Sequence, residues 1–151
     1  MKGFAHVAVG TGWLAFAASF FLPTIRIGDD WRAGSEMFTL GGVSLMMALA
    51  GIIGSIPAAA AFLSNIVMLF SPIAYASSPR DMTRRATPYV LAIFTPLNAI
   101  AGLMTPQFLS VTAHGWGFYL WAASFPLVAL SFFLRRATIA APRVAHGRQD
   151  V

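Results

Sequence analysis

The hydrophobic pattern divides the chain into long apolar segments. Residues 3–25, 37–79 and 86–134 contain no Lys, Arg, Asp or Glu. An α-helix needs about 20 apolar residues to cross a hydrocarbon core of about 30 Å, so each stretch can hold one or more crossings. Proline and glycine breakers divide the stretches into five predicted helices, at about 4–22, 38–54, 58–76, 88–104 and 115–134. The pattern therefore predicts an all-α fold, an integral membrane helical bundle of four to five transmembrane helices.

Composition supports a membrane environment and excludes several classes of protein. Hydrophobic residues make up 58% of the chain and charged residues 10%, whereas soluble domains have about 25% charged residues. The basic residues lie in short loops and a tail rather than on one face, which argues against nucleic-acid binding. The absence of cysteine excludes iron–sulfur subunits and thiol oxidoreductases, which need thiolates.

The chain has no linker long enough to separate two folded units. We therefore predict a single transmembrane domain over residues 1–134 and a basic cytoplasmic tail over residues 135–151. Ala15, Phe16 and Ala17 resemble a signal-peptide cleavage site, but the apolar run continues to Leu22. We therefore expect the first segment to be a retained helix.

The arginines predict the orientation. Loop 79–87 contains three arginines and the tail contains four, whereas residues 105–113 contain no charge. The positive-inside rule therefore places loop 79–87 and the C-terminus in the cytoplasm.

The N-terminal half allows two topologies. If segments 38–54 and 58–76 together make one crossing, the N-terminus is inside, and the Lys and Arg count is 8 inside against 2 outside. If both cross, the N-terminus is outside and the count is 9 against 1. Lys2, with the terminal amine, favours the first topology, as does the net negative first loop.

Few residues could carry chemistry. The five segments contain no charged residue, which argues against proton-coupled or ion-coupled transport. His6 and His114 could hold a haem only if they lay on the same side of the membrane, as they would in the five-crossing topology. No nucleophile–base pair or metal triad can be assembled, so we expect neither an enzyme nor a cofactor.

Asn65 and Asn98 are the two amides within the apolar segments. An unpaired amide costs several kcal/mol in hydrocarbon, so each needs a partner. A hydrogen bond between helices is the preferred interpretation. A polar ligand pocket between the third and fourth segments is the alternative.

Aromatic residues cluster at the start of the fifth segment, as Trp116, Phe118, Tyr119 and Trp121, with Trp31 in the first loop. Amphipathic rings prefer the headgroup level, so the cluster predicts an aromatic belt on the outer side. An aromatic ligand site is the alternative.

Four arginines of the C-terminal region could contact anionic phospholipid at the cytoplasmic face: Arg135, Arg136, Arg143 and Arg148. Topology determination alone would explain the same residues. In that case lysine should replace Arg135 and Arg136 without effect, because the positive-inside bias counts charge.

Two polar or small-residue patterns receive structural interpretations. Thr11, Ala15 and Ser19 recur at every fourth position, which favours close packing between helices. Asp29, Asp30 and Arg32 lie together in the first loop, where they predict a self-neutralised, solvated turn.

Two stretches are similar to known proteins. Residues Ala61, Phe62, Leu63, Ser64 and Asn65, with the apolar run that follows toward Arg84 and Arg85, form the first stretch, and residues 117–124 form the second. Both resemble segments of small, uncharacterised bacterial multispan membrane proteins. The resemblance implies a bacterial inner membrane and supplies no activity, cofactor or catalytic residue.

Two functional hypotheses follow from the sequence. The first is a non-enzymatic membrane protein that acts by contact, as an accessory subunit of a membrane complex or as a homo-oligomer. The second is a carrier or binder of an uncharged or lipid-like molecule.

Overall fold

A computed structural model describes residues 2–76, 86–97 and 111–140. This part of the chain is mostly helical. Its helices are α1 (Lys2–Ser19), α2 (Gly34–Leu49), α3 (Ile56–Ala76), α4 (Thr87–Leu97) and α5 (Trp116–Ala140), and a short 3₁₀ turn, Ile53–Ser55, precedes α3. Strands β1 (Pro23–Ile27), β2 (Asp30–Ala33) and β3 (Val111–His114) form one antiparallel sheet in the order β2-β1-β3. The all-α prediction is therefore wrong in one respect, because a small sheet joins two predicted loops.

The sheet forms because the first loop is a β-hairpin. Pro23 cannot continue α1, and the β-branched residues Thr24, Ile25 and Ile27 favour a strand. The connection from β1 to β2 consists of Gly28 and Asp29, and Gly28 adopts a φ of 61°, which glycine tolerates. Strand β1 then pairs on its other edge with β3, placing Arg26 opposite Ala113.

Helices α1 and α5 form a closely packed antiparallel pair. A Cβ atom added at Gly12 would lie 2.7 Å from Val128 Cγ2 and 3.2 Å from the Ser124 carbonyl oxygen. The glycine therefore allows the two backbones to approach. One turn further along, the Phe16 and Phe125 rings meet edge to face, 6.3 Å apart.

Helices α2 and α3 form a hairpin that packs on this pair. The Ser35 amide donates to the Phe20 carbonyl at 3.1 Å, which fixes the start of α2 beside the end of α1. The Phe38 ring lies 5.0 Å from the Phe62 ring. Helix α3 then runs alongside α1 until Tyr75 reaches His6, whose Nδ1 atom is 3.4 Å from the Tyr75 hydroxyl. Helix α3 thus follows the length of α1, whereas α2 stays at the sheet end.

The core lies where α1, α3, α4 and α5 meet. Its members are mostly large apolar side chains, with small residues where the helices approach: Phe16, Met68, Ala74, Tyr75, Leu91, Phe125, Val128, Ala129 and Phe132.

The helix lengths differ from those expected of a bundle of four to five spans. In the described residues, two helices are long and apolar enough to cross a membrane, Ile53–Ala76 and Trp116–Ile139. Helices α1 and α2 have 18 and 16 residues, and at about 1.5 Å per residue they are shorter than a hydrocarbon core of about 30 Å. Helix α5 continues six residues past the predicted end at 134.

The second predicted segment, 38–54, is shifted to 34–49 by a helix-ending motif. The Gly51 amide donates to the Ala48 carbonyl at 3.0 Å, and the Ile52 amide donates to the Met47 carbonyl at 3.0 Å. This is the Schellman arrangement, which needs a residue in the left-handed region, and Gly51 supplies it with a φ of 88°.

Candidate functional site

An apolar cavity of about 260 Å³ lies at the sheet end of the molecule. The end of α1, strand β1, both helices of the α2–α3 hairpin and the start of α5 contribute to its walls. Five rings line it, from Phe20, Phe38, Phe62, Phe118 and Trp121, and Met37, Leu40, Val43 and Met47 add aliphatic surface from α2. None of the lining side chains among the described residues is charged, so this lining suits an uncharged guest.

Glycine at position 41 allows α2 to lie close to α3 beside the cavity. Gly41 is the buried residue of α2, and a Cβ added there would lie 3.0 Å from Phe62 Cβ. Gly42 is the next residue, and a Cβ added there would lie 3.6 Å from the Phe62 ring. The two glycines leave the Phe62 ring space to lie against α2 at the cavity wall.

Asn65 is the amide on the cavity wall. It is 8% exposed, and its Oδ1 atom accepts a hydrogen bond of 2.6 Å from Trp121 Nε1. This bond joins α3 to α5, as the preferred interpretation of the asparagine expects. Asn98, the second candidate, lies outside the described residues.

The Asn65 amide nitrogen points away from Trp121. An indole N–H can only donate, so the amide oxygen must face it and the NH₂ group must take the other side. Within the described part of the chain, no acceptor is bonded to this NH₂ group. Asn65 therefore presents an unused donor.

The hydroxyl groups of the cavity wall are already bonded. Ser19 donates to the Phe16 carbonyl at 2.6 Å, and Ser44 donates to the Leu40 carbonyl at 2.9 Å. Thr24 donates to the Leu22 carbonyl at 3.2 Å. Each of these hydroxyl protons is used locally, so among the described lining residues the Asn65 amide is the donor left for a guest.

The predicted aromatic belt separates into two groups. Trp116 and Tyr119 are 77% and 56% exposed and face outward, as belt residues do. Phe118 and Trp121 instead line the cavity. Hydropathy does not indicate which side of α5 faces the protein, so the two groups could not be distinguished from the sequence.

The opposite end of the bundle carries two arginines that bind tyrosines. Arg135 Nη1 donates to the Tyr75 carbonyl oxygen, and its guanidinium carbon lies 4.6 Å from the centre of the Tyr75 ring. Arg136 Nη1 donates to the Tyr89 hydroxyl at 2.6 Å. Both arginines therefore hold neighbouring helices as well as carrying charge. Arg143 and Arg148 lie outside the described residues.

The two histidines considered as haem ligands are separated. His6 lies beside Tyr75, whereas His114 is opposite Ile25 in the sheet and stacks on Phe118. They occupy opposite ends of the α1–α5 pair and cannot hold one haem between them. The described residues also contain no group of three His, Cys, Asp or Glu side chains that could hold a metal ion.

The charged loop cluster is paired in the hairpin, where it is solvent-exposed. Arg26 bonds to Asp29 at 3.1 Å, and Arg32 bonds to Glu36 at 3.2 Å. The expectation of a self-neutralised turn thus fits the observed pairs, although the expected turn is a β-hairpin.

Two features of the site have no counterpart in the sequence predictions. Trp13 Nε1 donates to Ser71 Oγ at 3.1 Å, which fixes α3 to α1. The β-hairpin is the other feature, and its signal was the pair Gly28 and Asp29 directly after the β-branched residues of β1.

No family model, curated protein or solved structure matches the chain. The cavity and the surface therefore provide the grounds for a function.

Proposed function

We propose that this chain is a small, non-enzymatic protein of the bacterial inner membrane that binds an uncharged, lipid-like molecule in the cavity at the sheet end. The observation that carries the proposal is the cavity itself: among the described residues that line it, the walls are aromatic and aliphatic, no side chain is charged, and Asn65 supplies an unused amide donor.

The exposure of α3 supports a membrane environment. In its most apolar window, 22% of the residues are buried inside the molecule. Outward positions carry large apolar side chains such as Phe70 and Leu69, which are 63% and 43% exposed. Contiguous exposed apolar surface of this kind is rare on soluble monomers and suits contact with lipid chains.

The sheet supports one of the two topologies. Strands β1 and β3 pair directly, so the loop after α1 and the strand before α5 lie on the same side of the molecule. This arrangement fits a cytoplasmic N-terminus with a cytoplasmic C-terminus. It also fits one crossing by the α2–α3 hairpin, in which α3 crosses and α2 stays at the outer face.

The volume of the cavity limits the guest. Pockets for drug-sized ligands have about 300–1,000 Å³, so 260 Å³ accommodates one or two fused rings or a segment of chain. A complete two-chain phospholipid would not fit, so the bound molecule is smaller or inserts only one part.

Filling the cavity tests the binding proposal. Ala61 lines the cavity, whereas Ala60 does not. We expect Ala61→Phe to abolish the co-purification of a small apolar molecule in mild detergent, and Ala60→Phe to retain it. Extraction followed by mass spectrometry measures the bound molecule. An equal content of bound molecule in the two variants would refute the cavity as the binding site.

A role by contact is the second candidate, and the tip of the α2–α3 hairpin favours it. Met46, Leu49 and Ile53 are 67%, 75% and 79% exposed at this tip. An apolar tip could pack on another subunit of a membrane complex or on a second copy of this chain. Stoichiometric polypeptides that co-purify with the wild type and are lost in Leu49→Glu would support this role.

Arg135 and Arg136 also remain candidates for contact with anionic phospholipid at the cytoplasmic face, together with Arg143 and Arg148. The first two lie at the end of the bundle opposite the sheet, where the proposed topology places the cytoplasm. Guanidinium groups that already bind a tyrosine retain further N–H donors for a phosphate oxygen.

A further inference from the structure

The walls of the cavity are suited to a flat guest. Phe38 lies 5.6 Å from Phe20 and 5.0 Å from Phe62, and Phe118 lies 5.9 Å from Trp121. Aromatic rings interact favourably with another ring by offset stacking or edge-to-face contact, beyond the burial of area. A planar ring would gain more from these walls than a saturated chain would.

The polar group of the cavity is suited to a carbonyl oxygen. The Asn65 NH₂ group is a neutral donor, and Trp121 fixes its direction by occupying the amide oxygen. A ketone-type oxygen accepts such a bond without introducing charge, whereas a carboxylate or phosphate would bring an uncompensated charge into an apolar cavity. The guest should therefore accept a hydrogen bond and be uncharged.

The flexible side chains beside the rings are suited to an attached tail. Met37 and Met47 line the cavity from α2, and methionine adapts its shape to irregular apolar groups. Met47 is 42% exposed, so a tail could pass it toward the lipid.

We infer that the cavity binds a planar, uncharged ring that carries a carbonyl oxygen and an apolar tail, the chemistry of a quinone, and that Asn65 determines this specificity. The inference rests on the proposed function, because it names the class of the guest in the same cavity. It concerns binding alone and includes no electron transfer.

A pair of matched probes tests the inference. 2-Decyl-1,4-naphthoquinone and 2-decylnaphthalene share the fused ring and tail, and they differ in the two carbonyl oxygens. Affinities are measured by titration of the full chain in mild detergent and corrected for partition into protein-free micelles. We expect the wild type to prefer the quinone about tenfold, since a net hydrogen bond of about 1.4 kcal/mol corresponds to that factor.

Two variants test whether Asn65 causes the preference for the quinone. Asn65→Leu removes the NH₂ donor and also the acceptor of the Trp121 bond, so the ratio of the two affinities is the quantity compared. Quinone binding should weaken about tenfold relative to 2-decylnaphthalene, because only the quinone accepts a hydrogen bond from the lost donor. Ser131→Ala is the control, since Ser131 is buried in α5, bonds to the Val128 carbonyl and does not line the cavity. It should change neither affinity.

Three outcomes separate the inference from the function on which it rests. Loss of the quinone preference in Asn65→Leu alone supports both. Equal wild-type affinity for the two probes overturns the carbonyl inference and leaves apolar binding intact, and this comparison needs no variant to fold. Failure of the wild type to bind either probe overturns the proposed function as well.

Discussion

Gly12 determines how closely α1 and α5 pack, and a pair of glycine substitutions tests its role. A Cβ at position 12 would lie 3.2 Å from both Leu127 Cβ and the Ser124 carbonyl oxygen, whereas a Cβ at Gly10 meets nothing within 4 Å. We expect Gly12→Ala to lower the free energy of unfolding by about 1–3 kcal/mol through overpacking. Gly10→Ala should raise it by about 0.5–1 kcal/mol through helix propensity.

Thermal unfolding of the two variants in the same detergent measures the difference. The substitutions are chemically identical and two residues apart on one helix. Equal midpoints for Gly12→Ala and Gly10→Ala would contradict the close approach of α1 and α5.

The adjacent arginines of α5 should respond differently to lysine. Arg135 bonds to the Tyr75 carbonyl at a partly buried site and lies 4.6 Å from the centre of the Tyr75 ring. Arg136 bonds to Tyr89 at an exposed site and lies farther from that ring, at 5.6 Å. An ammonium cannot reproduce both the directed bond and the planar stacking. Arg135→Lys should therefore cost about 1–2 kcal/mol of stability, against about 0.5 kcal/mol or less for Arg136→Lys.

Stability and orientation are measured separately for these variants. Both retain the positive charge, so both should insert with the parental orientation. If Arg135→Lys unfolds at the same temperature as the parent, Arg135 acts by its charge alone. Lysine could then replace arginine at both positions without effect, as the positive-inside rule expects.

Single residues were predictable from the sequence as chemical types but not as pairs. Asn65 was recognisable because a buried amide needs a partner, yet Trp121 could be identified as that partner only once α3 and α5 were placed together. The small-residue stripe illustrates the same limit. Of the predicted positions, Thr11 is exposed and Ser19 is buried, and Ala8 and Gly12, which were not predicted, are buried as well. Alanine is frequent throughout α1, so small residues alone do not identify its buried face.

Among the elements, helix positions could be predicted better than their ends. Helix α3 was predicted at 58–76 and occupies Ile56–Ala76, because proline and a long apolar run mark it clearly. Helix α2 was displaced because the Schellman motif at Gly51 ends it and Glu36 lies within its first turn. The hydropathy pattern alone reveals neither feature, so it misplaced both ends of α2.

The sheet was missed because its strands are short and one of its pairings is distant in sequence. Strand β1 pairs with β2 across a two-residue connection, which a hairpin pattern can predict. It also pairs with β3, more than 80 residues away, and no local pattern specifies such a partner. The cavity depends on this pairing, since β1 and the start of α5 both line it.

A cross-strand disulfide tests the β1–β3 pairing. Arg26 and Ala113 are direct partners, so their Cβ atoms should lie about 4.5–5.5 Å apart, close to the separation that a disulfide requires. We expect Arg26→Cys with Ala113→Cys to oxidise readily, shown by intact mass and by loss of maleimide reactivity. The chain has no cysteine of its own to interfere.

The control pair places one cysteine on the far strand. Arg32 lies on β2, which is separated from β3 by β1, and two strand spacings amount to about 9–10 Å. Arg32→Cys with Ala113→Cys should therefore remain reduced under the same oxidation. Equal oxidation of the two pairs would show that the strand order is wrong.

For the whole molecule, the sheet makes the orientation testable in a way that counting charges does not. Counts of 8 against 2 and 9 against 1 leave the N-terminal half open. Because β1 pairs directly with β3, the two strands must lie on the same side of the membrane. Under the proposed topology this compartment is the outer side, and the end of α5 faces the cytoplasm.

Maleimide labelling of single cysteines at exposed positions tests this orientation in intact cells. Asp30→Cys and Thr112→Cys lie in the sheet, and Ile139→Cys lies near the end of α5. An impermeant maleimide should label the first two before permeabilisation and Ile139→Cys only afterwards, because about 30 Å of hydrocarbon separates the two ends. Labelling of Thr112→Cys without Asp30→Cys would separate β3 from β1 and establish five crossings. Labelling of Ile139→Cys with both sheet positions inaccessible would instead keep the sheet but invert the protein, placing the cavity at the cytoplasmic face.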